Sequence, residues 1–193
     1  MYKISIIIPV YNKEDTIQRA FESIKNQSIG FESLEVIFVD DASADSSVNI
    51  IKELSDNYKN VKSIHLSENS GFAGKPRNVG IENATAPYLM FLDPDDVFLE
   101  DACKTLYEII TENDLDIASG NYNINKDNKI VRNDWDILKL NDGESRQAKN
   151  IKEYFNFILP TPSVWSKIFK REFVLKEKLE FLVGVPAQDL VFV

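Results

Sequence analysis

Between residues 4 and 10 the chain reads ISIIIPV, a nearly unbroken apolar run rich in β-branched side chains. A strand with one wet face would alternate, so this run predicts a strand covered on both faces, as in a parallel sheet. Over residues 14–27 the spacing changes. Ile17, Ala20, Phe21 and Ile24 fall at i, i+3, i+4 and i+7, one apolar stripe along a helix. The alternation recurs, with strands predicted over 36–39 and 61–66 and, between them, a helix over 46–58 that turns Ile50, Ile51 and Leu54 inward. A glycine-containing loop leads to a helix over 76–83 and a buried strand over 88–92. A helix over 100–113 follows, with Ala102, Leu106, Ile109 and Ile110 on one face. Strands and helices taken in turn predict the α/β class with an open parallel sheet.

Regularity falls after a short strand predicted at 116–119. Residues 121–147 are rich in Asn, Asp and Lys, with few apolar anchors beyond Ile130, Trp135, Ile137 and Leu138. They predict a variable excursion or hairpin, the expected seat of specificity. A helix over 150–158 and the segment 163–176 are expected to return the chain to the core.

The length of 193 residues suits one domain, so residues 1–193 read as a single unit with enough apolar content to fill a core. A net charge of −9 weighs against nucleic acid or an anionic membrane as partners, since a broad basic face is missing. Cys103 is the only cysteine; it excludes an intrachain disulfide and reads as a small core residue. No leader pattern precedes the first strand, and no apolar run nears the roughly 20 residues that cross a bilayer. The expectation is a cytoplasmic chain with no transmembrane segment.

Ligands of open parallel sheets gather beyond the carboxyl ends of the strands, so the polar residues after each strand are the ones to weigh. After the first stand Pro9, Tyr11 and Asn12. After the second, VDDAS supplies Asp40 and Asp41; one carboxylate can serve a ligand base or ribose while the other stays with the loop, the alternative being a helix cap. The stretch NSGFAGKPRNVG brings glycines, Lys75 and Arg77 to a helix start, suited to a phosphate or to the acidic cluster. Its glycine spacing fits neither a dinucleotide fingerprint nor a P-loop. In FLDPDDVF, Asp93, Asp95 and Asp96 place three carboxylates in four residues. Such a cluster is stable if solvated, protonated or bridged by a hard cation such as Mg²⁺ or Mn²⁺, or it simply forms the turn before the next helix. The lone His65 has no metal-ligand partner in sequence and reads as structural.

Taken in order, IIIPVYNKEDTI, VDDAS, ENSGFAGKPRNVGI, FLDPDD, SVWSKIFKREF and QDLVF resemble the inverting family 2 glycosyltransferases, notably those of bacterial cell-surface polysaccharides and wall polymers. The resemblance covers nearly the whole chain. It implies a GT-A type α/β fold: an open, mostly parallel, Rossmann-like sheet flanked by helices. It implies that Pro9, Val10, Tyr11, Asn12, Asp40, Asp41 and Arg77 bind the donor nucleotide, and that Asp93 and Asp95 are a DxD motif for Mn²⁺ or Mg²⁺. Asp189 matches the general base, and Trp165, Lys167 and Lys75 match positions facing the acceptor or a phosphate. Trp165 could equally be an ordinary buried tryptophan and Lys167 a surface ion-pair partner. The implied partners are a nucleotide-sugar donor, UDP-linked by preference, and a glycan or polymer acceptor.

Three departures stand out. The loop from Gly71 to Arg77 is one residue longer than the common form, Gln188 stands where many members carry Glu, and Asp189 lies close to the last residue. The expectation is therefore the amino-terminal part of a longer enzyme, whose other regions could add acceptor contacts or a peripheral membrane association. The alternative in another class is a nucleotide-sugar-binding or assembly module that does not turn over.

Overall fold

A computed structural model describes residues 1–126, 129–132 and 163–192. The first apolar run forms β1 (Ile4–Val10), buried at every position, and β2 (Leu34–Asp40) lies parallel beside it in a register that pairs Ile4 with Leu34 and Val10 with Asp40. β3 (Val61–His65) flanks β2 and β4 (Tyr88–Phe91) flanks β1, both parallel. The connecting helices are α1 (Ile17–Lys25), α2 (Ser47–Asn57) and α3 (Gly74–Asn83). After α4 (Ala102–Glu112) comes β5 (Ile117–Ser119), and β6 (Asn123–Lys126) pairs with β7 (Lys129–Arg132) as an antiparallel hairpin. β8 (Lys167–Lys170) then inserts antiparallel between β4 and β5. The sheet order is β3-β2-β1-β4-β8-β5. Two short helices close the chain, α5 (Arg171–Lys176) and α6 (Asp189–Phe192).

The pleat of β1 divides the core. Ile4, Ile6, Ile8 and Val10 face α1, α2 and α4, where Phe21, Phe38 and Ile110 are sealed from water. Ile7 faces the other way, with Ile37, Val39, Leu89 and Phe91, toward α3 and the returning segment that carries Phe181 and Phe192. On that side Gly80 lets α3 lie close on β1, since a β-carbon there would collide with the Ile7 side chain. Burial of each large apolar side chain is worth roughly 1.5–3 kcal/mol, so both faces drive the sheet's formation.

The predicted α1 stripe is buried in full: Ile17, Ala20, Phe21 and Ile24. In α4 the inward face is Leu106 and Ile110 of the predicted set together with Cys103, and Ala102 and Ile109 sit at its margin. The small thiol packs where the helix approaches the sheet, and burial pushes its pKa up to about 12, which keeps it an inert core group. Ile50 likewise sits at the margin of α2 while Ile51 and Leu54 are buried. The excursion over 121–147 begins with the β6–β7 hairpin. Trp135, Ile137, Leu138 and the predicted helix over 150–158 lie outside the described residues.

Candidate functional site

The strand order reverses at β1, with β2 on one side and β4 on the other, and an open parallel sheet leaves a crevice at such a point. A cavity of about 650 Å³ lies there, walled by Pro9, Val10 and Tyr11 at the end of β1, Asp41 after β2, Asp93 and Asp95 after β4, and Arg77 and Asp189 opposite.

The loops after β1 and β2 build the first wall by exchanging hydrogen bonds. Asn12 donates its backbone N–H to Ser43 Oγ at 2.9 Å and accepts from the Ala44 amide at 2.8 Å. The Lys13 amide donates to Ser47 Oγ at 2.8 Å, the Glu14 amide to Asp45 at 3.1 Å, and the Ser46 amide to Glu14 at 2.7 Å. Neither α1 nor α2 has a side-chain cap from its own N-cap residue, so each loop supplies acceptors for its neighbour's unpaired amides. Asn12 (φ 51°) and Ala42 (φ 59°) hold left-handed backbones, at a cost on the order of 1 kcal/mol each. Asn12 thus ties the two loops together, while Tyr11, half exposed, stands on the cavity wall.

The acidic pair of VDDAS is split between two tasks. Asp40 is sealed from water; it accepts from the Ser43 amide at 3.2 and 3.3 Å and lies 3.7 Å from His65 Nδ1. It is not among the described residues lining the cavity. Asp41 is, and it accepts from the Ser70 amide at 3.1 Å and from Ser70 Oγ at 2.9 Å, which draws the glycine loop to the wall.

Arg77 is the centre of the opposite wall. α3 begins at Gly74, where a β-carbon would strike the Leu182 backbone, and Pro76 falls in the first turn, where no N–H is required. Arg77 follows, only 3% exposed. Its Nη2 donates to Asp93 at 2.7 Å and its Nη1 to Asp189 at 2.5 Å, 112 residues away in sequence. The guanidinium also lies 5.3 Å from the Phe181 ring. With its amide turned to suit its neighbours, Gln188 accepts from Nη1 at 2.9 Å and donates to Val185 O at 3.1 Å. Burial pushes the Asp93 carboxyl above its ordinary range despite Arg77, with Asp189 and Asp95 adding repulsion. Arg77 Nε is buried without a hydrogen-bond partner among the described residues.

Asp95 is half exposed. Its carboxylate accepts from Lys13 Nζ at 2.6 Å, and its carbonyl from Arg19 at 2.6 Å. Lys13 and Arg19 escaped the sequence reading. Lys13 directly follows the Tyr11–Asn12 pair and carried a signal of position, whereas Arg19 sits on the polar face of α1 like any solvated side chain. Asp96 is exposed, away from the cavity-lining residues; desolvation and repulsion from Asp93 and Asp95 push its carboxyl up.

The last wall comes from residues 163–192. Asp189 opens α6, and its second oxygen accepts from the Val164 amide at 3.4 Å. Lys167 is buried, contrary to a surface ion-pair role, because β8 is an interior strand. Its Nζ donates to Ser163 O at 2.7 Å, and burial brings its pKa down to about 8 against the opposing pull of Asp189. Trp165 is half-buried with its ring edge-on to Tyr122 at 4.6 Å, and Lys75 is half-buried on α3; neither is among the described cavity-lining residues.

Among the described residues no three His, Cys, Asp or Glu side chains converge into a complete metal cage. Asp93 and Asp95 nevertheless present hard oxygens to the cavity, which suits Mg²⁺ or Mn²⁺, ions that typically take one or two carboxylates and fill the rest of their shell with phosphate oxygens and water.

The sequence profile of Glycosyl transferase family 2 matches residues 5–174. The chain belongs to that family of glycosyltransferases. It is 32% identical over 196 residues to the poly(ribitol-phosphate) beta-N-acetylglucosaminyltransferase TarP of Staphylococcus aureus, covering all of this chain and 56% of that one. To the poly(ribitol-phosphate) beta-glucosyltransferase of Bacillus spizizenii it is 43% identical over 118 residues, 61% of this chain and 19% of that protein. The crystal structure of S. aureus TarS 1-349 in complex with UDP-GlcNAc superposes with a TM-score of 0.75 at 26% identity, over 98% of this chain and 52% of that one. The fold is therefore of GT-A type, as the motif order implied, and this family 2 chain spans about half the length of TarP and TarS or less of its larger relatives. No helix among its described residues is long and apolar enough to cross a membrane.

Proposed function

We propose that this chain carries the donor site and general base of a metal-dependent inverting glycosyltransferase. It takes a sugar from a nucleoside diphosphate sugar, UDP-linked by preference, and delivers it to a hydroxyl of a wall polymer or related surface glycan. The observation that carries this reading is the Arg77 bridge, which draws Asp93 of the strand-end acidic motif and Asp189 to opposite sides of one guanidinium at the cavity wall. The activities of the relatives and the UDP-GlcNAc complex of TarS favour the donor and acceptor classes.

In this reading the base and ribose lie against Pro9, Val10, Tyr11 and the Asp40–Asp41 turn. Asp93 and Asp95 would hold Mn²⁺ or Mg²⁺, which when bound would supply Lewis-acid stabilisation of the leaving diphosphate. Lys13 neutralises Asp95 until then. Asp189 accepts the proton of the acceptor hydroxyl as its oxygen bonds to the anomeric carbon and the bond to the diphosphate breaks, inverting the centre in one displacement. Arg77 fixes the orientation of that carboxylate. Trp165 and Lys75 are the candidates for contacts to the acceptor or a phosphate.

Calorimetry of UDP binding with and without Mn²⁺, paired with hydrolysis of UDP-GlcNAc and UDP-glucose, tests the proposal. Asp95→Ala should lower metal-dependent turnover by about 100-fold or more. A folded wild-type chain that binds neither UDP nor metal would sink it, and binding without turnover would instead favour the non-catalytic binding module.

A further inference from the structure

Two hydrogen bonds of the segment after residue 162 meet on one peptide unit. Lys167 Nζ donates to the carbonyl of Ser163, and the amide on the same peptide plane, that of Val164, donates to Asp189. In a trans peptide C=O and N–H point in opposite directions, so cation, peptide dipole and carboxylate stand in line. The segment folds into a single 3-10 turn, Val164–Ser166, which brings Lys167 back over Ser163. Lys167 is 1% exposed and Val164 fully buried, so the cation and the amide lie out of water, while Ser163 and Asp189 border the cavity. Hydrogen bonds in such chains polarise one another, and a charge at each end with the signs seen here reinforces both.

We infer that Lys167 is a positioning residue for Asp189, acting through the Ser163–Val164 peptide rather than by touching any ligand. The inference rests on the reading of Asp189 as general base, and it accounts for a buried lysine that the donor site leaves unused. Arg77 reaches the same carboxylate from α3 and holds its other oxygen. The carboxylate is thereby fixed from two elements. Arg77 ties it to the donor side through Asp93, and Lys167 ties it to β8 through one peptide. Neutralising Lys167 should weaken the second tie alone, so that turnover falls while nucleotide binding persists.

The test needs a readout at the peptide itself. Serine labelled with ¹³C at the carbonyl and valine labelled with ¹⁵N report the Ser163–Val164 peptide by NMR, and Ser47–Val48 serves as an internal control. In Lys167→Met the Ser163 carbonyl and Val164 amide resonances should move, and Val164 exchange should quicken roughly fivefold. Ser47–Val48 should stay unchanged. Asp189→Asn probes the row from its other end and should move the same two resonances, which keeps the inference testable if Lys167→Met does not fold. In wild type these resonances should titrate with a midpoint near the Lys167 value of about 8. Charged groups acting there include Asp189 and, beyond it, Arg77. That titration should vanish in Lys167→Met. In the turnover assay, Lys167→Met should lower kcat about tenfold to a hundredfold with the UDP dissociation constant unchanged. A folded Lys167→Met chain with unaltered Ser163 and Val164 signals overturns the inference. Wild type without turnover would instead count against the proposed function, and the resonance measurements would still decide whether the row exists.

Discussion

Two walls of the cavity are held by different means. The wall formed by β1, β2 and their loops is stitched by backbone amides and short polar side chains, Asn12 to Ser43 and Ala44, Lys13 to Ser47, Glu14 to Asp45 and Ser46, between neighbouring strand-helix units. The wall formed by residues 163–192 depends on an aromatic cluster and one arginine. Phe192 stacks on Phe181 at 4.0 Å and meets Phe91 and Phe169 edge-on at 5.8 and 5.4 Å. Many modest bonds make the first wall tolerant of single losses. The second hangs on a few large contacts made across long sequence separations, so it is the one that mutation should detach.

Phe192→Ala is the strongest way to break this contrast. It removes a buried ring that fastens α6, at a cost of about 3 kcal/mol. Chemical unfolding should show that loss, and calorimetry should show UDP binding largely intact while turnover collapses, because Asp189 leaves the wall. Equal loss of binding would mean that the walls are not separable. Arg77→Met acts at the junction. It strands Asp93 and Asp189 at a partly wet wall and should cost about 2 kcal/mol, with both nucleotide binding and turnover reduced. Gly80→Ala loads the Arg77 wall from beneath by forcing α3 off Ile7, at about 1.5 kcal/mol of overpacking, and should lower the unfolding temperature and, because Arg77 rides on the same helix, reduce turnover as well.

The smallest expected effect sharpens the comparison far from the cavity. Glu35 is buried and accepts from Ser5 at 2.5 Å, the Thr85 amide and hydroxyl at 2.8 Å and Lys62 at 2.7 Å, tying β1, β2, β3 and the start of β4. Burial pushes its carboxyl up, but the bonds from Lys62, Ser5 and Thr85 outweigh it and hold the group below its ordinary value of 4.5. Its stabilisation is therefore fully present above pH 4.5 and fades as pH falls through the lower folded value. Glu35→Gln should cost about 1 kcal/mol at pH 7 and flatten the acid side of the stability profile, measured by urea midpoints across pH 3–7.

Reading the sequence worked best where structure is local. The stripe of Ile17, Ala20, Phe21 and Ile24 and the run ISIIIPV each encode burial within a few residues, and the strand-helix order then fixed a parallel sheet. The site residues were legible as types after strand ends, and the order of six motifs pointed to the family. In α4 Leu106 and Ile110 were legible from spacing and Cys103 from its residue type, while Ala102 and Ile109 fall at the margin, because four apolar residues and a thiol leave the edge of the stripe ambiguous. The insertion of β8 between β4 and β5 carried no local signal, since antiparallel pairing at that distance is chosen by which sheet edge remains open.

From its sequence alone this protein declares its α/β class, its family and the acidic, basic and glycine residues that gather beyond the strands, because periodicity and motif order are properties of neighbours along the chain. Tertiary structure alone decided that Asp41 rather than Asp40 faces the cavity and that Lys13 meets Asp95. It also decided that Lys167 is buried and that Arg77 joins Asp93 to Asp189 across 112 residues. Those choices depend on where loops cross and on which polar groups lose water together, and neither is written in the spacing of residues.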